Sequence, residues 1–218
     1  KVIICQNLNE DLDTAIQNCS HDKLFILVDK HTRELCLPLI SGFDCLKNAH
    51  IITIGPEDIH KNLETLAYVW KELGDQGATR HSLMINLGGG MITDLGGFAA
   101  STFKRGFQYI NIPTTLLAMV DASVGGKTGI NFNGLKNEIG VFSPAEYVLI
   151  DTEFLKSLDS HNILSGYAEM LKHGIISTTE HWAELLNFDL NQIDYKALQQ
   201  LVAHSVSIKE DIVEKDPF

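Results

Sequence analysis

Residues 82–98 read SLMINLGGGMITDLGGF, and this stretch joins an apolar strand to a helix through three consecutive glycines. A continuous apolar run of this length is typical of a parallel strand that is covered on both faces of its sheet. Glycines at the turn open the amides of a helix N-terminus to a phosphate, which the positive end of the helix dipole attracts. The spacing is not GxGxxG, so a plain tight turn with close helix packing stands as an equal alternative.

Further apolar runs lie on both sides of this stretch and alternate with polar, helix-forming segments. They are VIIC from Val2, LFILVD from Leu24, HIITIG from His50 and YINIPTT from Tyr109. Between the third run and the glycines, apolar residues recur at helical spacing through residues 60–77, and Gly74 is expected to stop that helix. Strands that alternate with helices predict a parallel α/β sheet.

The second half of the chain has a different pattern. After YVLIDTEFLKSL at residues 147–158, helical patterns dominate residues 161–215, including ILSGYAEMLKHGII and DYKALQQLVAHSVSIKEDIVEK. The change falls between Asp151 and Leu158. We therefore expect an α/β domain over residues 1–155 and the start of an α-helical domain over residues 156–218.

Composition restricts the partners. The 218 residues are 44% hydrophobic, which is enough for a substantial core, and the net charge is 17 − 28 = −11. An acidic surface repels nucleic acid and anionic lipid, and no apolar run approaches the roughly 18 residues of a membrane span. Four cysteines without a CxxC pair fit a reducing compartment. We expect a cytoplasmic protein with no nucleic-acid or membrane partner.

Residues 109–142, YINIPTTLLAMVDASVGGKTGINFNGLKNEIGVF, begin with the last of these apolar runs and are expected to continue in a loop that carries unusual chemistry. Gly126-Lys127-Thr128 resembles the last residues of a P-loop. A P-loop also needs a glycine five residues before Gly126, but Asp121 occupies that position. Lys127 is therefore expected to hold a phosphate on a small molecule. Lys136, Asn137 and Arg105 would concentrate further positive charge and an amide on an acidic protein; the alternative is that each lysine is a solvated surface residue.

One predicted helix carries a carboxylate beside a cation. Glu169, Lys172 and His173 are three and four residues apart, so they share one helix face. Glu169 is either a metal ligand with Lys172 beside it or half of an ordinary surface ion pair. The nine histidines form neither HxxxH nor HExxH, so spacing alone builds no closed metal site.

Taken together, GGGMITDLGGF, FKRGFQYINIPTTLLAMVDASVGGKTGIN, LKNEIGVF and GYAEMLKHG resemble, in this order, the 3-dehydroquinate synthase family of sugar phosphate cyclases. The similarity covers most of residues 24–176. It implies a Rossmann-like, parallel-sheet NAD-binding domain followed by an α-helical domain, a homodimer, and a phosphate lyase that uses NAD and zinc or cobalt. The family converts 3-deoxy-D-arabino-heptulosonate 7-phosphate to 3-dehydroquinate and phosphate in the shikimate route, and NAD is regenerated in each turnover.

The resemblance also implies roles for individual residues. The implied NAD contacts are Asp29, Asp58, Lys61, Gly89, Gly90, Met91, Asp94, Thr114, Thr115, Leu117, Lys127, Lys136, Phe154, Ser157 and Leu158. The implied substrate contacts are Asp121, Lys127, Asn137, Lys172 and Arg105, the last reaching a phosphate in the partner subunit. Glu169 matches the family's carboxylate metal ligand, whereas His173 matches none and is expected in helix packing or at the surface.

The chain departs from the family pattern in three places. Asp58 is a shorter acid than the family usually has, and Met91 stands where a small branched residue is usual. The family's two metal-binding histidines lie beyond Phe218, so the chain as given is expected to bind NAD without turning over substrate. The alternatives are a valiolone- or inosose-type sugar phosphate cyclase, a polyol dehydrogenase that accumulates NADH, and a non-catalytic NAD-binding module.

Overall fold

A computed structural model describes residues 1–215, and it contains a parallel sheet, a separate hairpin and seven α-helices within that range. The strands are β1 (Val2–Ile4), β2 (Leu24–Asp29), β3 (His50–Ile54), β4 (Leu83–Gly88), β5 (Gln108–Pro113), β6 (Lys127–Phe132), β7 (Leu135–Phe142) and β8 (Tyr147–Ile150). The helices are α1 (Leu8–Asn18), α2 (Lys30–Leu35), α3 (Leu63–Asp75), α4 (Gly90–Thr102), α5 (Ser160–Ile176), α6 (Thr179–Asn187) and α7 (Tyr195–Lys215). The predicted α/β class is confirmed.

The main sheet has the strand order β1-β8-β5-β4-β2-β3, and all neighbours are parallel. Every residue of β2 and β4 is buried, which explains why their sequences are continuous apolar runs. β3 lies on one side of β2 and β4 on the other, so the winding of the chain reverses there. In open α/β sheets, the carboxyl ends of strands at such a reversal form the crevice that binds ligands.

Local signals explain most helix boundaries. Asn62 caps α3 by accepting a hydrogen bond from the Thr65 amide at 2.9 Å, and the helix buries one apolar face. The expectation that Gly74 stops this helix is wrong, because Gly74 lies inside α3. The left-handed conformation that ends the segment belongs to Gly77, with φ +72°.

The residues that follow β5, up to Phe142, do not form the single loop that we expected. A helical segment with a π turn at Ala118–Ala122 follows β5, and β6 and β7 then pair as an antiparallel hairpin. Lys136 and Asn137 therefore lie on a strand. Asn133 and Gly134 make the turn with φ +51° and +76°, and Asn-Gly is a strong sequence signal for this kind of hairpin turn.

The helices after β8 pack against the segment that follows β5. A Cβ on Gly166 of α5 would lie only 2.5 Å from the Leu117 amide nitrogen, so glycine permits this close contact. Tyr167 of the same helix donates a hydrogen bond to the Leu185 carbonyl of α6 at 2.6 Å. No helix within residues 1–215 is both long and apolar enough to cross a membrane.

Candidate functional site

A cavity of about 670 Å³ lies at the carboxyl ends of β2, β4 and β5. This is the size range of small-molecule and cofactor sites. Every residue that the resemblance assigns to NAD lines it except Lys127. These residues are Asp29, Asp58, Lys61, Gly89, Gly90, Met91, Asp94, Thr114, Thr115, Leu117, Lys136, Phe154, Ser157 and Leu158. The fold thus brings together residues that are scattered over the first 158 positions of the sequence.

Glycines form the part of this cavity where α4 begins. Gly89 is the N-cap of α4, and no side chain accepts a hydrogen bond from the first turn of the helix there. Those amides are available to an anion, which the helix dipole would also favour. Close packing is present as well, because a Cβ on Gly89 would lie 2.9 Å from Thr115 Cγ2. The two explanations of the glycine turn are therefore compatible.

A buried ion pair joins α4 to the segment before α3. Lys61 is 5% exposed, and its Nζ lies 2.6 Å from Asp94 Oδ2 while also donating to Asn137 Oδ1. Burial raises the pKa of Asp94, and the Lys61 charge opposes that rise. Asp94 therefore faces the cavity, and the Lys61 cation holds it in place.

Two other acids sit at the rim of this cavity. Asp29 caps α2 by accepting a hydrogen bond from the Thr32 amide at 2.9 Å. Asp58 Oδ2 accepts from Asn131 Nδ2 at 3.1 Å and lies 3.3 Å from Lys136 Nζ. The Lys136 side chain is 80% exposed, so this ion pair is weak, but it places the β6–β7 hairpin against the rim.

A second cavity of about 470 Å³ adjoins the first and shares Asp94 with it. Asp121, Lys127 and Asn137 line it, so the structure brings together three of the five residues assigned to substrate. Lys127, which the resemblance assigns to both ligands, lies in this second cavity at the start of β6.

Lys209 also lines the second cavity, and the sequence did not single it out. It projects from α7, and its Nζ lies 2.7 Å from Asp121 Oδ1. In the sequence, Lys209 is one polar residue among many on a helix with an apolar face. Only the packing of α7 against the Ala118–Ala122 turn shows that it faces Asp121.

Glu169 lies on α5 beside two basic residues. Its Oε1 accepts a hydrogen bond from Lys172 Nζ at 2.7 Å and lies 3.4 Å from His173 Nε2. The hydrogen bond to Glu169 raises the pKa of Lys172, and the Asp121 charge adds to the effect. Burial lowers the pKa of His173, whose Nδ1 is 2.5 Å from Ser205 Oγ. His173 is thus a packed residue of the helix interface.

Two predicted substrate residues line neither cavity. The Lys172 side chain is 61% exposed, and its ammonium group forms an ion pair with Glu169. Arg105 lies on the exposed turn Phe103–Arg105, where Lys104 and Arg105 have φ +52° and +70°. Left-handed non-glycine residues are unusual, so this turn holds Arg105 in a costly backbone conformation.

The described residues do not complete a metal site at Glu169. Within residues 1–215, Glu169 is not part of any group of three His, Cys, Asp or Glu side chains with converging ligand atoms. One carboxylate is fewer than the roughly three protein ligands of a catalytic zinc site. No chemical step through a metal follows from these residues.

A parallel sheet with a glycine-lined cavity at its point of reversal defines a doubly wound α/β protein. Sequence profiles of the 3-dehydroquinate synthase N-terminal and C-terminal regions match residues 51–165 and 166–218. The chain belongs to the 3-dehydroquinate synthase family.

Similar proteins extend this result. A 3-dehydroquinate synthase from Parabacteroides distasonis is 54% identical over 217 residues, which are 100% of this chain and 62% of that protein. A 3-dehydroquinate synthase from Pyrococcus furiosus is 39% identical over 94% of this chain and 60% of its own length. The chain thus spans about three-fifths of the curated relatives that it matches.

A solved structure of 2-epi-5-epi-valiolone synthase from Streptomyces hygroscopicus has the same fold as the described chain. The TM-score is 0.87 and the identity 27%, over 99% of this chain and 61% of the other. That protein was solved with NAD⁺ and Zn²⁺ bound.

Proposed function

We propose that the protein is a 3-dehydroquinate synthase, a phosphate lyase that forms 3-dehydroquinate from 3-deoxy-D-arabino-heptulosonate 7-phosphate. The observation that carries the proposal is the meeting of two cavities at Asp94, one lined by the residues assigned to NAD and the other by residues assigned to substrate. The 54% identity to the Parabacteroides distasonis enzyme supports the choice of reaction. The chain covers 62% of the length of that enzyme.

The first cavity would hold NAD. The uncapped first turn of α4 would receive the pyrophosphate, because Gly89 and Gly90 leave the backbone accessible there. Asp29 ends β2 and would face the adenosine side, as family position implies. When bound, NAD supplies a reversible hydride acceptor. The buried Lys61–Asp94 pair would fix the shared wall between the cofactor and substrate cavities.

The second cavity would hold the sugar phosphate. Two cations, Lys127 and Lys209, line this cavity together with three acids. The two lysines are the groups there that can attract a phosphate. Lysine is a common phosphate ligand, and Asp121 holds Lys209 at 2.7 Å. Asn137 adds an amide that can bond a substrate hydroxyl. These groups position the substrate and stabilise its negative charge.

The remaining assignments rest on the family resemblance. Glu169 would be one ligand of a zinc or cobalt ion, with Lys172 beside it, and further ligands would come from outside the described residues. Arg105 would reach a phosphate across a homodimer interface. We also propose that residues 1–155 form the NAD-binding domain, that residues 156–218 begin the helical domain, and that the protein is cytoplasmic.

The second candidate is a valiolone-type sugar phosphate cyclase. Its support is the TM-score of 0.87 to 2-epi-5-epi-valiolone synthase, because one fold can carry several different reactions. The 27% identity to that enzyme is half of the identity to the dehydroquinate synthase, and this favours the first candidate.

A substrate panel tests the proposal. Phosphate release would be measured for the protein at its full natural length with NAD and zinc or cobalt, using the heptulosonate phosphate and, in parallel, a seven-carbon ketose phosphate and glucose 6-phosphate. We expect release from the heptulosonate phosphate alone. Release only from another sugar phosphate would favour a different cyclase, and NAD binding without release from any sugar phosphate would favour a binding module.

A further inference from the structure

Three potential metal ligands converge between α6 and α7, away from both cavities. They are His181 and Glu184 on α6 and His204 on α7, and one ligand atom from each lies within 4.8 Å of the others. His181 and Glu184 are three residues apart, so they share a face of α6. None of the three lines the cofactor or substrate cavity.

His181 is the unusual member of this group. It is fully buried, and neither of its ring nitrogens has a hydrogen-bond partner. Its Nδ1 is 3.6 Å from Glu184 Oε2, and its ring centroid is 3.9 Å from that of His204. Buried polar groups in folded proteins are nearly always satisfied, so two unpartnered nitrogens in one ring need an explanation.

Simple ring packing does not supply that explanation. Contact between His181 and His204 would account for the burial of the ring, but it leaves both buried nitrogens without a partner. Burial, followed by the charge of His204, lowers the pKa of His181. A neutral imidazole can donate a lone pair from one ring nitrogen to a metal.

We propose that His181, Glu184 and His204 form a binding site for a borderline divalent cation such as Zn²⁺ or Co²⁺, separate from the site at Glu169. Two imidazoles and one carboxylate are a ligand set that zinc uses, whereas Ca²⁺ and Mg²⁺ prefer oxygen ligands alone. Water completes the coordination. The ion binds one of the two ring nitrogens of His181 that lack a hydrogen-bond partner.

The positions of the ligands allow the site to close. Bonds of about 2.0–2.1 Å in a tetrahedral shell place neighbouring ligand atoms roughly 3.3 Å apart. Glu184 and His204 are both exposed, so their side chains can move from within 4.8 Å to this spacing without disturbing the core. His181 is buried and keeps its position. Because the ligands come from two helices, the ion ties α6 to α7.

Metal counting tests the proposal independently of activity. The protein at its full natural length is stripped with a chelator, dialysed against Zn²⁺ or Co²⁺, and then dialysed against metal-free buffer before elemental analysis. The informative variants are His204→Gln and Glu184→Gln, because both side chains are exposed and their loss does not open the core. His161→Gln is the matched control, since His161 is exposed on α5 and lies outside the group.

We expect the retained metal to fall by one equivalent per chain in His204→Gln and Glu184→Gln and to stay unchanged in His161→Gln. The affinity of the lost equivalent should fall roughly 100-fold or more, because even outer-shell changes around a metal cost 10–100-fold. An equal count and affinity in wild type and His204→Gln overturns the proposal. Phosphate release is assayed separately, so a failure of the synthase proposal leaves this count interpretable.

Discussion

Replacing Lys61 by methionine should destabilise the fold, because it leaves the Asp94 carboxylate buried without its cation. The side chains are 6% and 18% exposed, and the charged atoms are 2.6 Å apart. Removing one partner of a buried pair costs about 3–5 kcal/mol. Asp94 borders two cavities that water can enter, so the lower limit of about 3 kcal/mol applies, which is roughly a 100-fold change in the folding equilibrium.

The stability lost in Lys61→Met should be larger at higher pH. Burial already raises the pKa of Asp94, and removing the opposing charge of Lys61 raises it further. A carboxyl with a raised pKa in the folded state binds its proton more tightly there than in the unfolded chain. Stability therefore falls as the pH rises from the ordinary carboxyl range toward the raised value. The difference between Lys61→Met and wild type should be smaller at pH 5 than at pH 8.

Urea unfolding followed by circular dichroism at the two pH values measures this effect. Adding Asp94→Asn to Lys61→Met should recover part of the lost stability, because the orphaned charge is removed. Lys71→Met is the control, since Lys71 pairs with Asp75 at the surface and should change stability by at most about 0.5 kcal/mol. The reasoning fails if Lys61→Met is as stable as Lys71→Met at pH 8, or if Asp94→Asn recovers nothing.

Three further substitutions test other parts of the structure. Gly96→Ala should cost about 1–3 kcal/mol in urea unfolding, because its Cβ would overlap the buried Asn86 amide; unchanged stability would contradict this packing. Gly89→Val should weaken NAD binding tenfold or more in calorimetry, about 1.4 kcal/mol, by pressing on Thr115 and covering the start of α4; equal affinity would argue against a pyrophosphate there. Lys127→Met should retain NAD binding but lower phosphate release roughly 100-fold, and full release would remove Lys127 from the substrate site.

The sheet was predictable because its burial is uniform. Each residue of β2 and β4 is covered on both faces, so their sequences contain little except apolar residues and the strand ends are marked by Asp29 and Gly88. Parallel strands bring their carboxyl ends to one edge. The residues that follow those strands therefore meet at one cavity, although they are far apart in the sequence.

The hairpin was missed for the opposite reason. Every residue of β7 is exposed, so no buried face imposes an alternating pattern on its sequence. The Asn133-Gly134 turn was the remaining local signal. Lys209 and the His181–His204 contact were also missed, since each depends on how α7 packs against distant elements, and spacing within one helix contains no such information.

We propose that the strand-end cavity serves a reaction that uses NAD and returns it unchanged. The most direct measurement follows phosphate release from 3-deoxy-D-arabino-heptulosonate 7-phosphate by the protein at its full natural length, with NAD and zinc or cobalt present and NADH absorbance recorded simultaneously. We expect many phosphates to be released per NAD, with no accumulation of NADH. Stoichiometric NADH formation, or the absence of phosphate release from this substrate, would contradict it.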